Sequence, residues 1–517
     1  MDGKNFCIDK IIADRDIIHI TGACPVELLR GVWGVYESCN FDGEAQKIAD
    51  DAIKYDTSQL SDRYTTFRTR FQRMIDDRDR IYSSFRIKVE LDNATSFTAA
   101  GPRYATVLNE ISLHSYDYPK SHTIKGLQVK MLDDALRLGI GHAALNLNLP
   151  SIMIPDDNGD AITYQMDGEV FYFHRQRVEE FDRRVKELSE NKVVVTLILL
   201  NSMKWDGYDI HPELLQELIH PDYDPDGLIS AFPVVTERGL KRFRAFIEFV
   251  AERYTRPDQL YGRACGYILG NEVTSQWIWC NAGKKTVQDY MEEYTYALRM
   301  AFFAARKKYD RARVYISMDH FWTMTFQEDP LKFYKGREVL ELLNQYSHRD
   351  GNFEWSVAYH PYPQNLFHAD FWNDETAQHS FDTGRITFRN IEILSQFLSQ
   401  KAFLYNGELR HIILSEQGFH SDENEESEAL QAAAYCLAYR KVANTPGIES
   451  FILHAHVDNR DEFGLNLGLW RRDKSSPSAN EPGSPKPIYD VFRLIDGPEH
   501  EEVCRFARKI VGEKNWV

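Results

Sequence analysis

The chain has 517 residues, more than a single compact core usually serves, so a large domain and a smaller one are expected. Its formal net charge of −17 argues against a nucleic-acid partner, because phosphate binding needs a basic surface. No apolar stretch reaches the roughly 18 residues of a transmembrane helix, so no membrane partner is expected. The first residues lack the apolar core of a signal peptide. A cytoplasmic protein and one whose signal has been removed both remain open.

Residues 1–100 are predicted to form a small β-sandwich-like domain. Short runs with alternating apolar residues, such as 17–20, 32–36 and 85–91, are separated by Gly, Asp and Asn turns and show little helical period. The domain can either pack against the rest of the chain or bind sugar, and we expect packing.

From about residue 120 the pattern changes to strand, loop and helix, repeated along the chain. The run 193–200 is apolar at every position, as expected of a parallel strand buried on both faces. The other predicted strands are 142–149, 266–270, 314–318, 355–359, 411–415 and 450–454. The predicted helices are 125–138, 174–190, 239–253, 287–308, 385–400 and 428–442, and a hairpin is predicted at 162–173.

One more short strand, near 123–126 or at 104–108, completes eight β/α units. The sequence therefore predicts an α/β fold in which residues 101–517 form a (β/α)8 TIM barrel. A doubly wound open sheet is the alternative. It lacks support because no glycine-rich nucleotide-binding loop follows any strand, and no cofactor is predicted.

Two glutamates stand at the ends of predicted barrel strands, which is where TIM barrels carry their chemistry. The fourth strand ends in Asn271-Glu272 and the seventh in Ser415-Glu416. Two carboxylates about 5–5.5 Å apart can cleave a glycosidic bond, one as proton donor and the other as attacking anion. A lone Glu at a barrel mouth is more often a salt-bridge partner, but two at matching strand ends favour catalysis.

These strand ends resemble those of the clan A (4/7 superfamily) TIM-barrel retaining glycoside hydrolases. The resemblance covers about residues 120–497. It implies that Glu272 is the acid/base and that Glu416 is the nucleophile. From its position beside Glu272, Asn271 is expected to hydrogen-bond a sugar hydroxyl. It also implies a carbohydrate partner, by default a β-linked oligo- or polysaccharide. The acidic chain mildly disfavours a polyanionic sugar, although Arg471 and Arg472 leave that possibility open.

Other strand ends and long loops supply further candidate substrate-binding residues. At the sixth strand, His360 or Tyr362 is expected to hydrogen-bond Glu416 and keep it ionised, although two nearby prolines also fit a stiff turn. The remaining candidates are Asn146, Asn201, Trp205, Trp277, Trp279, His320, Trp322, His454 and Trp470. Each Trp is expected either to stack on a sugar or to fix its own loop. The eighth strand departs from the clan because it has no obvious Trp at its end and gives His454-Ala455-His456.

Two other kinds of protein compete with this interpretation. A metal-dependent TIM-barrel hydrolase would use His360, His454 and His456, but alternate residues of a strand point to opposite faces, so no metal site is predicted. A non-catalytic carbohydrate-binding barrel has no need of two converging carboxylates. Within the glycosidases, an inverting enzyme would need roughly 6.5–9.5 Å between its carboxyl groups.

Overall fold

The computed structural model describes residues 6–26, 33–41, 43–48, 54–56, 64–90, 96–203 and 210–516. These residues form an N-terminal region of small sheets and a closed eight-stranded parallel barrel with helices around it. The predicted TIM barrel with a small N-terminal β domain is confirmed. Within the described ranges, no helix is both long enough and apolar enough to cross a lipid bilayer.

The N-terminal domain consists mainly of two sheets. The first has five strands, in spatial order Val107–Leu108, Cys7–Ala13, Ile17–Pro25, Tyr64–Gln72 and Lys54–Asp56. The second has four, in the order Ser96–Arg103, Ser84–Glu90, Trp33–Ser38 and Gln46–Lys47. A two-stranded ribbon, Met74–Ile75 with Arg78–Asp79, precedes the 3₁₀ turn Arg80–Tyr82. Ring contacts join the two sheets, because Trp33 lies 5.3 Å from Phe67 and Phe71 lies 5.3 Å from Phe85.

Eight parallel strands close the barrel. In chain order, barrel strands 1 to 8 are Lys125–Gln128, His142–Asn148, Val194–Leu200, Ala264–Leu269, Arg313–Met318, Trp355–Tyr359, Ile412–Gln417 and Ile448–Leu453. Lys125 pairs with Phe451, which joins the first strand to the eighth. Apolar side chains from alternate strand positions, including Ile198, Ile268 and Ile413, fill the interior. The barrel interior is therefore a packed core, and a functional site is expected only at the strand ends.

Helices and short loop elements surround the barrel. The main helices are Leu132–Arg137, Arg175–Glu190, Glu237–Tyr254, Val287–Lys308, Gly336–Asp350, Glu392–Leu398, Glu425–Ala443, Pro487–Leu494, His500–Val503 and Arg505–Val511. Loop helices are Leu149–Ile152, Pro212–Leu218 and Gln276–Trp279, with 3₁₀ turns at Val273–Ser275, Phe371–Asn373 and Phe388–Asn390. Loop strands are Met153–Ile154, Ile162–Met166, Glu169–Phe173, Trp470–Arg472 and Pro482–Pro485. The hairpin predicted at 162–173 is present.

The predicted helix at 125–138 is wrong in its first half. Lys125–Gln128 is barrel strand 1, and only Leu132–Arg137 is helical. A Cβ on Gly126 would lie 2.7 Å from Cγ1 of Ile452, so this strand packs tightly against strand 8. Four residues with polar ends are too few to show the two-residue period of a strand. The alternative strand at 104–108 belongs instead to the N-terminal sheet, where Val107 pairs with Ile12.

Two further boundaries differ from the sequence prediction. The predicted helix 385–400 is a 3₁₀ turn, Phe388–Asn390, followed by the shorter helix Glu392–Leu398. The strand Ser96–Arg103 runs across residue 100, where the two domains were expected to divide.

A buried cluster of charges fastens the N-terminal domain to the barrel. Glu248 of the helix Glu237–Tyr254 accepts a hydrogen bond of 2.5 Å from the Tyr82 hydroxyl. Lys307 lies 2.8 Å from Glu248 and 3.1 Å from Asp79, and Lys308 lies 3.3 Å from Glu248. The positive charges of Lys307 and Lys308 outweigh the effect of burial and hold the pKa of Glu248 well below its usual value. The expected packing role of the domain agrees with this contact.

Candidate active site

Glu272 lies in the loop directly after barrel strand 4. Gly270, two residues earlier, has φ +73°, and a Cβ there would lie 2.8 Å from the sulfur of Cys280. Glu272 itself has φ +37°, a left-handed conformation that costs free energy for a non-glycine residue. Its backbone N–H donates to the Ser317 hydroxyl over 3.0 Å, which fixes the turn. The Glu272 side chain is 14% exposed and reaches the barrel mouth.

Glu416 lies within barrel strand 7, one residue before its end. Its two carboxylate oxygens have separate donors. Nε2 of Gln128, the last residue of strand 1, lies 3.1 Å from Oε2, and the Tyr362 hydroxyl donates to Oε1 over 3.3 Å. Burial, and then the charge of Glu416, raise the pKa of Tyr362 well above its usual value, so the phenol keeps the proton that it donates. Each oxygen of the Glu416 carboxylate therefore has its own hydrogen-bond donor.

The two glutamates converge on His360. One carboxylate oxygen of Glu272, one of Glu416 and one ring nitrogen of His360 all lie within 4.8 Å of one another. Nδ1 of His360 is 2.9 Å from Oε1 of Glu272, and its Nε2 is 3.1 Å from the Ser415 hydroxyl. Of the two residues expected to contact Glu416, His360 lies instead beside Glu272, at the end of strand 6. Tyr362 takes the predicted contact with Glu416.

Two buried residues after strand 5 border this cluster. Burial, followed by the charge of Glu272, raises the pKa of Asp319 to about 7, although Ser275 donates to Oδ2 over 2.5 Å. Burial lowers the pKa of His320 to about 3, so its ring is neutral near pH 7. Neither ring nitrogen of His320 has a hydrogen-bond partner among the described residues. His320 is thus a buried polar group whose hydrogen-bonding capacity is unsatisfied among the described residues.

His454, at the end of strand 8, joins the cluster through Gln128. Its Nδ1 donates to Oε1 of Gln128 over 2.8 Å, and its Nε2 lies 3.3 Å from Glu462. Burial alone would lower the pKa of His454, but the hydrogen bond with Glu462 and the charge of Glu416 raise it to about 9. A charged imidazole therefore holds Gln128 in the orientation that presents its amide N–H to Glu416.

An aromatic pair connects loops that follow opposite strands of the barrel. Trp279, after strand 4, packs on the apolar residues of the barrel interior. Its ring meets that of Phe463, in the loop after strand 8, edge-on at 6.1 Å. Phe463 is 67% exposed. This placement leaves the Phe463 ring accessible to a ligand at the mouth.

The remaining predicted residues lie in different settings. Asn146 points from strand 2 into a cavity beside His454, and Asn271 accepts a hydrogen bond of 3.4 Å from the Ser317 hydroxyl. Asn201 is completely buried and donates to the carbonyls of Leu218 and Ala231, so it holds a loop. Trp205 lies outside the described residues.

Three of the predicted tryptophans use their rings within the fold. Trp322 is fully buried and its indole N–H donates to the carbonyl of Phe381. Trp277 is buried beneath the ammonium of Lys332, which lies 3.9 Å from its ring centroid. The indole N–H of Trp470 donates to Asp134 over 3.0 Å. For these three side chains, the fixing of loops accounts for the ring better than sugar stacking does.

Sequence reasoning missed Gln128, Glu462 and Phe463. Gln128 ends a strand of four residues, and only a correct placement of strand 1 would have identified it. Glu462 and Phe463 lie in an irregular loop, where no periodicity marks a side chain. Arg471, which left a polyanionic sugar open in the sequence, is instead held in an ion pair with Glu428.

Comparisons with known proteins assign a family but no activity. The model of a family described as "Family of unknown function (DUF5722)" matches residues 117–517. No curated protein matches the chain.

Solved structures of glycosidases share a low level of similarity with the chain. A β-glucosidase from Pyrococcus furiosus is 16% identical, covering 73% of this chain and 86% of its own, with a TM-score of 0.47. A family 39 glycoside hydrolase from Bacteroides cellulosilyticus is 12% identical, covering 95% and 82%, with a TM-score of 0.46. A β-glycosidase from Thermosphaera aggregans is 14% identical, covering 72% and 86%, with a TM-score of 0.45. These values assign no activity to this chain.

Proposed function

The chain belongs, through residues 117–517, to the DUF5722 family of unknown function, and we propose that this member is a retaining glycoside hydrolase acting on β-linked oligo- or polysaccharides. One observation carries the proposal. Glu272 and Glu416, from the ends of strands 4 and 7, bring carboxylate oxygens within 4.8 Å of each other at the barrel mouth. An upper limit of 4.8 Å between one oxygen of each carboxylate favours the closely spaced pair of a retaining enzyme, roughly 5–5.5 Å apart, over the roughly 6.5–9.5 Å of an inverting pair.

The reaction proceeds in two displacements. In the first, a carboxylate oxygen of Glu416 bonds to the anomeric carbon while the glycosidic bond breaks. The electron pair of that bond stays on the leaving oxygen, which takes a proton from Glu272. In the second, Glu272 removes a proton from water, the water oxygen bonds to the anomeric carbon, and Glu416 leaves as a carboxylate. The product keeps the anomeric configuration of the substrate.

The contacts of each glutamate fit its role. Glu416 accepts hydrogen bonds from Gln128 and Tyr362, which stabilise the anion needed for attack. Glu272 lies 2.9 Å from the buried ring of His360, a second titratable group with which it can share a proton. The same ring remains beside Glu272 when the carboxylate returns as a base in the second displacement.

Other residues of the mouth are assigned to substrate binding. Asn271 lies beside Glu272 and is placed to meet a sugar hydroxyl, and His320 has two unpartnered ring nitrogens. Trp279 and Phe463 offer apolar faces for sugar rings, each contributing about 1 kcal/mol to binding. Asn146 lines the adjoining cavity.

The test is hydrolysis of a panel of β-glycans by the wild type and by Glu416→Ala. The anomeric configuration of the first product is then determined by NMR. We expect release of reducing ends by the wild type alone, and retention of configuration. Azide should partly restore Glu416→Ala by forming a glycosyl azide of inverted configuration. An inverted product from the wild type would refute the double displacement.

A second variant tests the acid. Glu272→Ala should lose most activity on substrates with poor leaving groups and least on activated aryl glycosides, because a good leaving group needs little protonation. Equal losses on both kinds of substrate would refute the assignment of Glu272. Ser317→Ala, which removes the hydroxyl that accepts from the Glu272 backbone N–H and leaves both carboxylates in place, is the control for local damage to the turn.

A metal-dependent hydrolase is a second candidate, favoured by the same triad of Glu272, His360 and Glu416, whose ligand atoms are close enough to hold one cation. Both ring nitrogens of His360 already have partners, in Glu272 and Ser415. His456 bonds Asp134 and takes no part in the triad. Dialysis against a chelator separates the two candidates, because the two-carboxylate reaction keeps its full rate.

A further inference from the structure

A cavity of about 390 Å³ lies between the N-terminal domain and the barrel. Arg86, from the second N-terminal sheet, and residues of the helices Val287–Lys308 and Gly336–Asp350 are part of its wall. None of the residues that line it belongs to the proposed active site. A ligand bound in this cavity would therefore contact both domains, and would do so apart from the two glutamates.

Four hydrogen-bond donors on side chains that line the cavity are buried and have no partner among the described residues. They are Nε of Arg86, Oγ1 of Thr295, the hydroxyl oxygen of Tyr296 and Nη2 of Arg299. An arginine N–H can only donate, and a hydroxyl can also donate. Buried polar atoms without a partner are rare in folded proteins, so four of them around one cavity indicate that an acceptor belongs there.

Arg299 is the most deeply buried of these four side chains, with 1% of its surface exposed. Its Nη1 donates to the carbonyl of Gly351, and its Cζ lies 4.8 Å and 4.6 Å from the ring centroids of Tyr104 and Phe353. Burial lowers the pKa of Arg299 to about 10, against the opposing effects of Tyr104 and Asp350, so the guanidinium is still charged at pH 7. A buried cation without a counter-ion costs free energy, and an anion in the cavity would lower that cost.

Another buried arginine shows how the fold satisfies such a group without a ligand. Arg410 is 2% exposed, and all three of its nitrogens donate hydrogen bonds, to three backbone carbonyls and one side-chain amide. The surroundings of Arg299 supply one carbonyl and leave Nη2 without an acceptor. Burial of an arginine in this protein therefore does not by itself leave donors unpaired, and the unpaired donors are specific to the cavity.

Four carboxylates also line the cavity, and each already has a partner among the described residues. The pairs are Glu292 and Asp350 with Arg349, Glu293 with Lys285 and His220, and Asp289 with Thr286. The guanidinium of Arg349 lies 2.5 Å from Glu292 and 2.7 Å from Asp350, so its charge is compensated. Arg86 and Arg299 are left as the unpaired cations among the described residues that line this cavity, and they belong to different domains.

We propose that this cavity binds a small oxyanion, a phosphate, sulfate or carboxylate group, between Arg86 of the N-terminal domain and Arg299 of the barrel. Arginine N–H groups match the oxygens of such anions in geometry and charge, and Thr295 and Tyr296 add hydroxyl donors. The group can belong to a free inorganic anion or to a small organic acid, since both present the same oxygens. The bound anion stabilises the contact between the two domains, because it binds a side chain from each.

Titration calorimetry of the wild-type protein with sodium phosphate, sodium sulfate and sodium acetate, at pH 7 and constant ionic strength, tests the proposal. We expect at least one of these anions to bind at a single site with a Kd of about 1 mM or lower. At about 20 mM it should raise the Tm by about 2 °C or more. Binding of phosphate or sulfate identifies an inorganic anion as the ligand, and binding of acetate alone identifies an organic acid. Sodium chloride at the same ionic strength is the control for a general salt effect.

Variants assign the binding to the cavity. Arg86→Gln and Arg299→Gln should each weaken binding by about tenfold or more and remove most of the rise in Tm. Arg299→Lys, which keeps the charge, should retain part of the binding. Arg86 is only partly buried, so Arg86→Gln provides the test even if Arg299→Gln does not fold. Arg70→Gln is the matched control, since Arg70 is an exposed arginine of the same domain that does not line the cavity.

The outcomes that contradict the anion site are distinct from those that contradict the glycosidase. Binding of none of the three anions, the same rise in Tm with sodium chloride, or undiminished binding in folded Arg86→Gln protein overturns the site. An equal loss of binding in Arg70→Gln also overturns it. Circular dichroism shows which variants are folded. Hydrolysis of glycans is measured separately, so neither proposal depends on the other.

Discussion

His360 and Glu272 are joined by a hydrogen bond of 2.9 Å between Nδ1 and Oε1, and the histidine is only 1% exposed. Burial alone would lower the pKa of His360, but the charges of Glu416 and Glu272 outweigh it and raise that pKa above its usual value. His360 is therefore positively charged over part of the working pH range. Its charge acts on both carboxylates, since it lies beside one and close to the other.

Replacement of His360 by Gln should move the pH profile of the enzyme to higher pH. Glutamine keeps a hydrogen-bond donor but loses the positive charge, so the anions of Glu272 and Glu416 are less favoured. Both limbs of kcat/KM against pH should shift upward, by about half a unit or more, and the maximum should fall roughly tenfold or more. Ser415→Ala, which removes the partner of Nε2, is the milder control. An unchanged profile would make His360 a packing residue.

Loss of the donor on Gln128 should impair the nucleophile more than loss of the donor on Tyr362. Gln128 lies 3.1 Å from Glu416, whereas the Tyr362 hydroxyl lies 3.3 Å away, and a shorter charged hydrogen bond is worth more. Gln128→Leu should lower kcat/KM roughly ten- to hundredfold and move the acidic limb to higher pH. Tyr362→Phe should cause a smaller loss in the same direction. The reverse order, measured on one aryl glycoside, would contradict this ranking.

The residues of the site that could be predicted are those that adjacent sequence identifies. Each glutamate closely follows an apolar run, Glu272 in the loop after strand 4 and Glu416 near the end of strand 7, and each could be recognised without its neighbours. The hydrogen-bond partners of these glutamates could not be recognised from adjacent sequence. Gln128 follows a strand of only four residues, and its link to Glu416 depends on barrel closure between residues 288 positions apart.

The misplaced contacts have a similar physical origin. The sequence places His360 at the end of strand 6, between strands 5 and 7. It does not show the direction in which the imidazole ring points. In the fold, Nδ1 of the ring lies beside Glu272, and the Ser415 hydroxyl lies 3.1 Å from Nε2. In the same way, a Trp in a long loop can face a ligand or the core. The Trp322 ring faces the core, where its indole N–H donates to the carbonyl of Phe381.

The ion pair between His454 and Glu462 should give a pH-dependent contribution to stability. The raised pKa of His454, about 9, means that its contribution is complete below the unfolded value of about 6.5 and is lost as pH rises through about 9. The pKa of Glu462 is lowered, mainly by the hydrogen bond from His454 and against the effect of burial. Its contribution is present above about 4.3 and is lost as pH falls through the lowered value.

Glu462→Gln should therefore destabilise the protein at pH 5.5 by about 1 kcal/mol and have almost no effect at pH 10. Thermal unfolding of wild type and variant at these two pH values measures the difference. Asp461→Asn is the matched control, because Asp461 is the exposed neighbour of Glu462 and pairs only with Arg460 among the described residues. A pH-independent difference would contradict the assignment of the pair.

The charge cluster around Glu248 should control the docking of the N-terminal domain. Glu248→Gln leaves Lys307 and Lys308 buried with less compensation, and breaking a buried ion pair costs about 3–5 kcal/mol. The expected results are a lower Tm and faster cleavage between the domains in limited proteolysis. Because the pKa of Glu248 is held well below its usual value, its contribution is present above about pH 4.3 and is lost as pH falls toward that lowered value. The difference in stability between the wild type and Glu248→Gln should thus disappear only in strong acid.

Glu252→Gln supplies the control for this last variant. Glu252 lies one turn further along the same helix and also contacts Lys308, but its side chain is 45% exposed, so water compensates for the loss of its charge. The change should cost less than about 1 kcal/mol. If both variants lowered the Tm equally, the loss would come from the helix Glu237–Tyr254 rather than from the buried cluster. If neither did, the domain would be held by apolar contacts, such as the packing of Tyr82 on Phe303 at 6.4 Å.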